Sequence, residues 1–169
     1  MWLVVSGCTE RQVRPGPIDK DPFRDAPLHV SYDMKVDFTD STRRKAQLTA
    51  GIARVYEDRR QTTLGQGVKV LFYSRSSGKQ VATLTADSAM IDDRTKNMTA
   101  IGNVVVVSDS TRTTLTTTRL QWDQTTERIS TSEVVRIVSP TEVIDGVGLI
   151  SDQYLTNYRI FKVKGIHQP

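Results

Sequence analysis

The sequence predicts an all-β protein made of repeated antiparallel strands. Three observations carry this: a gapless internal repeat, apolar residues that recur with a period of two, and threonine-rich stretches that suit a pleated surface. The repeat is the strongest. LTADSAMIDDRTKNMTAIGNVVVV, from Leu84, aligns without a gap on LTTTRLQWDQTTERISTSEVVRIV, from Leu115, at a shift of 31 residues. Leu84 then matches Leu115, Ile91 matches Trp122, Asp92 matches Asp123, Met98 matches Ile129, and Val104 and Val106 match Val135 and Ile137. An earlier copy starts at Leu48, 36 residues before Leu84, and Asp152-Gln153 echoes Asp123-Gln124 in a looser fourth. Repeats of this length signal stacked units that cannot bury their apolar faces alone.

The elements follow in chain order. Val5-Ser6-Gly7-Cys8 has the form of a lipobox, in which the cysteine becomes the acylated first residue of a bacterial lipoprotein. Met1–Gly7 is too short and too uncharged for a whole signal peptide, so residues 1–8 read as a truncated signal segment with Cys8 as the lipid attachment point. Residues 9–28 carry Pro15, Gly16, Pro17, Pro22 and Pro27 among charges and read as a flexible linker. The folded domain spans 29–169. Near its start, Leu48, Ile52 and Val55 fall on a helical stripe that Ser41 could cap. Gly51 weakens such a helix by about 1 kcal/mol, and the register shared with the copy at Leu84 decides for a strand.

Farther along, Val68, Val70 and Phe72 alternate with Lys69 and Leu71, Leu120 and Trp122 with Arg119 and Gln121, and Val135 and Ile137 flank Arg136. Thr111–Thr118 fits a strand for its β-branched side chains. Asp93–Asn97 and Gln124–Arg128 are hairpin tips, while Gly102-Asn103 and Ser139-Pro140 mark further turns. The inward-facing set is Leu84, Val104, Val106, Leu115, Leu120, Trp122, Ile129, Val135 and Ile137. Met90 and Met98 are candidate adaptable contacts. Two such apolar surfaces either close as a packed sandwich core or stand apart as a lipid-sized groove, and both readings stay open here.

Composition argues against several functions. The net charge of +4 comes from lysines and arginines spread along the chain, without the basic face that nucleic-acid binding needs. One cysteine excludes an intrachain disulfide and multi-cysteine metal sites. His29 and His167 lie near opposite ends of the domain, so no histidine relay, metal site or cofactor is expected. Asp92, Asp93, Asp123 and Asp152 recur beside turns, as turn chemistry requires, rather than pairing as catalytic acids. With no phosphate-binding glycine loop either, the chain reads as non-catalytic.

KAQLTA from Lys45, the unit from Leu84, LQWDQTTERISTSEVVRIVSPTEVIDGVGLISDQ and LTNYRIFKVKG together resemble the LptC family over roughly Val30 to Gly165. The resemblance implies a twisted, open β-jellyroll, or β-taco, that shelters the acyl chains of lipopolysaccharide. It implies a periplasmic protein anchored in the inner membrane, docked on an LptB/LptF/LptG-type ABC transporter and handing its cargo to an LptA-like bridge protein. That partner would pair with the C-terminal edge strand, for which Leu155, Tyr158, Ile160 and Phe161 are the candidates. Where most relatives carry a transmembrane anchor helix, this chain offers Cys8. Two other functions fit the sequence: an LptA-like bridge subunit, and a surface-anchored β-sandwich that binds carbohydrate or protein.

Overall fold

A computed structural model describes residues 26–168, so Cys8 and most of the linker lie outside the described residues. Ten strands form one antiparallel sheet: β1 His29–Asp40, β2 Arg43–Tyr56, β3 Gln61–Tyr73, β4 Gln80–Ala86, β5 Ser88–Asp92, β6 Met98–Ser108, β7 Thr113–Asp123, β8 Arg128–Val138, β9 Val143–Asp152 and β10 Tyr158–His167. The order is β1-β2-β3-β4-β6-β7-β8-β9-β10, and β5 continues the lane of β4, pairing with β3 and β6. The helix alternative near Leu48 is thereby set aside: Leu48 lies in β2, opposite Val70. The repeat is also visible in the pairing, since Leu84 and Leu115 each face Val106.

A line of irregularities crosses the sheet midway along the strands. Asp33 of β1 has φ 51, and the register of β2 on β3 breaks at Gly51, opposite Gln66 and Gly67 with φ 60 and 80. Asp87 separates β4 from β5, next to Gly102 and Asn103 with φ 77 and 43. Gly102-Asn103 is therefore a β-bulge inside β6 and not a turn, a correction to the sequence reading. Asparagine and glycine tolerate left-handed backbone wherever it occurs, so composition alone does not separate bulge from turn. A side chain at Gly102 would place its Cβ 2.5 Å from Asp87 Oδ2. The line continues through the breaks at Thr116/Gln121 and Thr131/Val134 to Gly148, with φ 74, whose Cβ position is 2.7 Å from Phe161.

Along this crease the sheet folds on itself into two jaws. The first holds the strand halves that meet at hairpins 41–42, 74–79, 109–112 and 139–142; the second holds those that meet at 57–60, 93–97, 124–127 and 153–157. In a flat sheet β1 and β7 would stand about 24 Å apart, five lanes at the usual strand spacing. Yet Trp122 of the second jaw meets Phe38 of the first edge-to-face at 5.1 Å and Phe72 at 5.5 Å. Only a folded sheet allows these contacts.

Candidate functional site

The apolar interior between the jaws is the candidate site. Alternation sends Leu84, Val104, Val106, Leu115, Leu120, Trp122, Ile129, Val135 and Ile137 to this face, and each is at most 1% exposed. They pack in one cluster with Leu48, Phe72, Met98 and Leu149, against which Phe38, Tyr158 and Ile160 lean. In this conformation the jaws are shut on their own side chains. Met98 belongs to the cluster, whereas Met90 is half-buried on the other face of β5. Trp122 lies beside the β7–β8 tip, opposite Met98 and Ile129, and its indole Nε1 donates to Gln153 Oε1 at 2.9 Å, both residues being buried. Gln153 Nε2 donates to Tyr154 Oη at 2.9 Å, and that phenol donates in turn to the carbonyl of Tyr73 on the first jaw at 3.2 Å. Burial pushes the Tyr154 phenol pKa up, which keeps it a neutral donor. Ser151 Oγ is buried beside Ile129 and Tyr158 without a hydrogen-bond partner.

The mouth, where the tips of the two jaws meet, is charged. Glu127, at the tip of the β7–β8 hairpin, accepts from Arg75 Nε at 3.0 Å and Nη2 at 2.7 Å, and Lys45 Nζ lies 3.4 Å from it. Sequence reasoning missed this clasp. Arg75 and Glu127 stand 52 positions apart, and no spacing rule links the tips of two different hairpins across a fold.

Of the candidate edge residues, Leu155 needs correction. It sits before β10 in the 153–157 turn, with φ 55 and 1% exposure, because the turn drives it into the core as a plug. Tyr158, Ile160 and Phe161 do lie in β10, at one edge of the sheet, with Tyr158 and Ile160 turned inward and Phe161 exposed. Phe161, Val163 and Ile166 are exposed along this edge, interleaved with the exposed Arg159, Lys162 and Lys164.

Asp92, Asp123 and Asp152 act as turn caps, whereas the Asp93 carboxylate accepts from Thr62 Oγ1 at 2.9 Å. Asp92 Oδ1 accepts from the amides of Thr95 at 2.8 Å and Arg94 at 2.9 Å, and Asp123 Oδ1 from those of Thr126 at 2.8 Å and Thr125 at 2.9 Å. Asp152 accepts from the amides of Tyr154, Thr156 and Asn157. Led by the amides of Thr95 and Thr126, these bonds hold the Asp92 and Asp123 carboxyls below their ordinary value of 3.8. A lowered folded-state pKa gives a contribution fully present above the unfolded value and lost as pH falls through the folded one. The urea midpoint should therefore drop as pH falls from about 5 to below 3.8, and drop less in Asp92→Asn/Asp123→Asn, which keeps the acceptor but cannot titrate. Equal drops in the two proteins would refute this role.

Among the described residues no group of three or more His, Cys, Asp or Glu side chains could hold a metal ion, and no helix is long and apolar enough to cross a membrane. Two jaws of a single creased sheet around a shared apolar interior define a β-jellyroll of the taco kind. The chain belongs to the LptC family: a family model described as lipopolysaccharide-assembly, LptC-related, matches residues 10–167. No curated protein matches the chain. Membership places it in lipopolysaccharide transport with the Lpt system, a family of inner-membrane-anchored periplasmic transport components and not a known enzyme family.

Proposed function

We propose that this chain is a periplasmic carrier that receives lipopolysaccharide from an LptB/LptF/LptG-type ABC transporter and passes it to an LptA-like bridge protein. The observation that carries the reading is an apolar interior whose two jaws are held shut, among the described residues, by non-covalent contacts: the packing of Trp122 on Phe38 and Phe72 and the polar contacts at the tips. Each methylene that moves from water into such an interior gains about 0.8 kcal/mol, so a few acyl chains could take the place of the side-chain packing that parting the jaws disrupts. The lipid-contacting set is the nine interior residues: Leu120, Trp122 and Ile129 on the second jaw, and on the first the other six, beside Phe38 and Phe72. The edge strand β10 would pair with the bridge protein by strand addition through Tyr158, Ile160 and Phe161, and Cys8 would carry the membrane anchor. Energy for directional movement would come from the transporter, since the carrier itself supplies no chemistry.

The filled interior also favours a second reading, a permanently closed β-sandwich that binds carbohydrate or protein on its outer face. Photocrosslinking in cells separates the two. An aromatic photoprobe at Trp122 should capture lipopolysaccharide, while one at Gln121, on the outer face of the same strand, should not. Capture at neither position, in folded and correctly located protein, would favour the closed sandwich.

A further inference from the structure

The clasp at the mouth has the composition of an occupied anion site. Arg75 grips the Glu127 carboxylate with two nitrogens, Nε at 3.0 Å and Nη2 at 2.7 Å from Oε1, and Nε also lies 3.2 Å from Oε2. This fork geometry serves carboxylate and phosphate equally well. Lys45 Nζ adds a second cation at 3.4 Å, and the Lys45 and Glu127 side chains are only 11% and 12% exposed. Asp40 Oδ2 stands farther out, 3.8 Å from Lys45 and 3.9 Å from Arg75. The Arg75 backbone is itself held, its carbonyl accepting from Arg43 Nη1 at 2.8 Å.

The position matters as much as the chemistry. Glu127 lies one hairpin beyond Trp122, and its carbonyl accepts from the Gln153 amide at 3.1 Å, so the cations sit one layer outside the apolar interior. A lipid with its chains between the jaws would bring its sugar headgroup to this level. We propose that Arg75 and Lys45 form a binding site for a phosphate on the headgroup of an acylated saccharide, and that Glu127 fills this site as an internal anion while the jaws are shut. This rests on the carrier reading above and adds to it the recognition of the headgroup. Two cations face two carboxylates in the closed clasp, so an incoming phosphate must displace Glu127. Because Glu127 belongs to the second jaw and Arg75 and Lys45 to the first, displacement releases one jaw from the other. Binding the headgroup and opening the interior become one event.

The test uses the full chain with Trp2→Phe, which leaves Trp122 as the sole tryptophan reporting from the interior. Its emission is followed on titration with detergent-dispersed lipid A carrying its phosphates, with the same lipid stripped of phosphate, and with inorganic phosphate. The phosphorylated lipid should bind at least about tenfold more tightly than the stripped one, as two charge-assisted contacts imply. In Arg75→Gln/Lys45→Gln the two lipids should bind within about twofold of each other, and retained binding of the stripped lipid shows that this variant is folded. Glu127→Gln should tighten both lipids, and unchanged or weaker binding would overturn its role as internal anion. Equal affinity of the unmodified clasp for both lipids would overturn the phosphate site while leaving the carrier reading intact. A full response to inorganic phosphate alone would assign the site to free phosphate and overturn it as a headgroup site. Binding of neither lipid would remove the carrier reading and this proposal with it.

Discussion

Trp122→Ala should cost about 3–5 kcal/mol of folding stability, the range for deleting a large aromatic side chain from a packed interior. Trp122 is 1% exposed and joins the jaws through Phe38 and Phe72, so its loss opens a cavity that both jaws line. It also removes the donor to Gln153 Oε1, a buried acceptor whose orphaning alone costs about 1–3 kcal/mol. Trp122→Phe separates the two contributions, since it restores most of the ring packing but not the hydrogen bond. Urea unfolding monitored by circular dichroism checks both variants, provided the slope against denaturant is unchanged. Domains of this size are stable by about 5–15 kcal/mol, so the alanine variant would lose a large fraction of the total. A loss under about 1 kcal/mol would mean that the interior is loosely filled and that the aromatic contacts do not hold the jaws together.

The second large effect concerns access. If lipid enters by parting the jaws, a covalent tie between their tips should abolish uptake. Ser74 adjoins the Tyr73 carbonyl to which Tyr154 donates, so cysteines at Ser74 and Tyr154 flank the mouth. In a chain with Cys8 replaced, a short, reducible bifunctional maleimide joining the two should reduce lipopolysaccharide binding at least about tenfold, and reductive cleavage should restore it. A long flexible linker on the same pair should leave binding close to that of the untied protein. Undiminished binding by the tied protein would show that lipid reaches the interior from the open ends of the sheet, past β1 or β10, and that the mouth stays shut.

Much of this fold was legible because strand alternation and repeat length report on local geometry. Most of the nine interior residues stood out since they alternate with polar neighbours; Val106, between Val105 and Val107, was placed by the repeat, in which the copies at Leu84 and Leu115 reinforce one another. The recurrent aspartates were legible as turn residues because Asp92, Asp123 and Asp152 each precede a tip whose amides need an acceptor. What stayed hidden depends on the fold closing over itself. Phe38 and Trp122 come together only after the crease forms, and Arg75 finds Glu127 only across the mouth. Leu155 looked like one more apolar strand residue, yet its left-handed backbone turns it into the core. Gly102-Asn103 carried the composition of a turn, and only the pairing of β6 on both sides of it reveals a bulge.

The crease has a mechanical consequence. A pleated sheet is stiff along its hydrogen-bond ladders and bends most readily where the ladder is interrupted. Here the interruptions run from Asp33 to Gly148 at right angles to the strands, so they form an axis parallel to the direction in which lanes are added. Rotation about that axis changes the gape of the molecule while leaving its end-to-end length, and the spacing between its terminal lanes, nearly constant. A row of such subunits joined edge to edge could thus dilate to admit a bulky cargo without pulling its joints apart, as a flexible hose widens without growing longer.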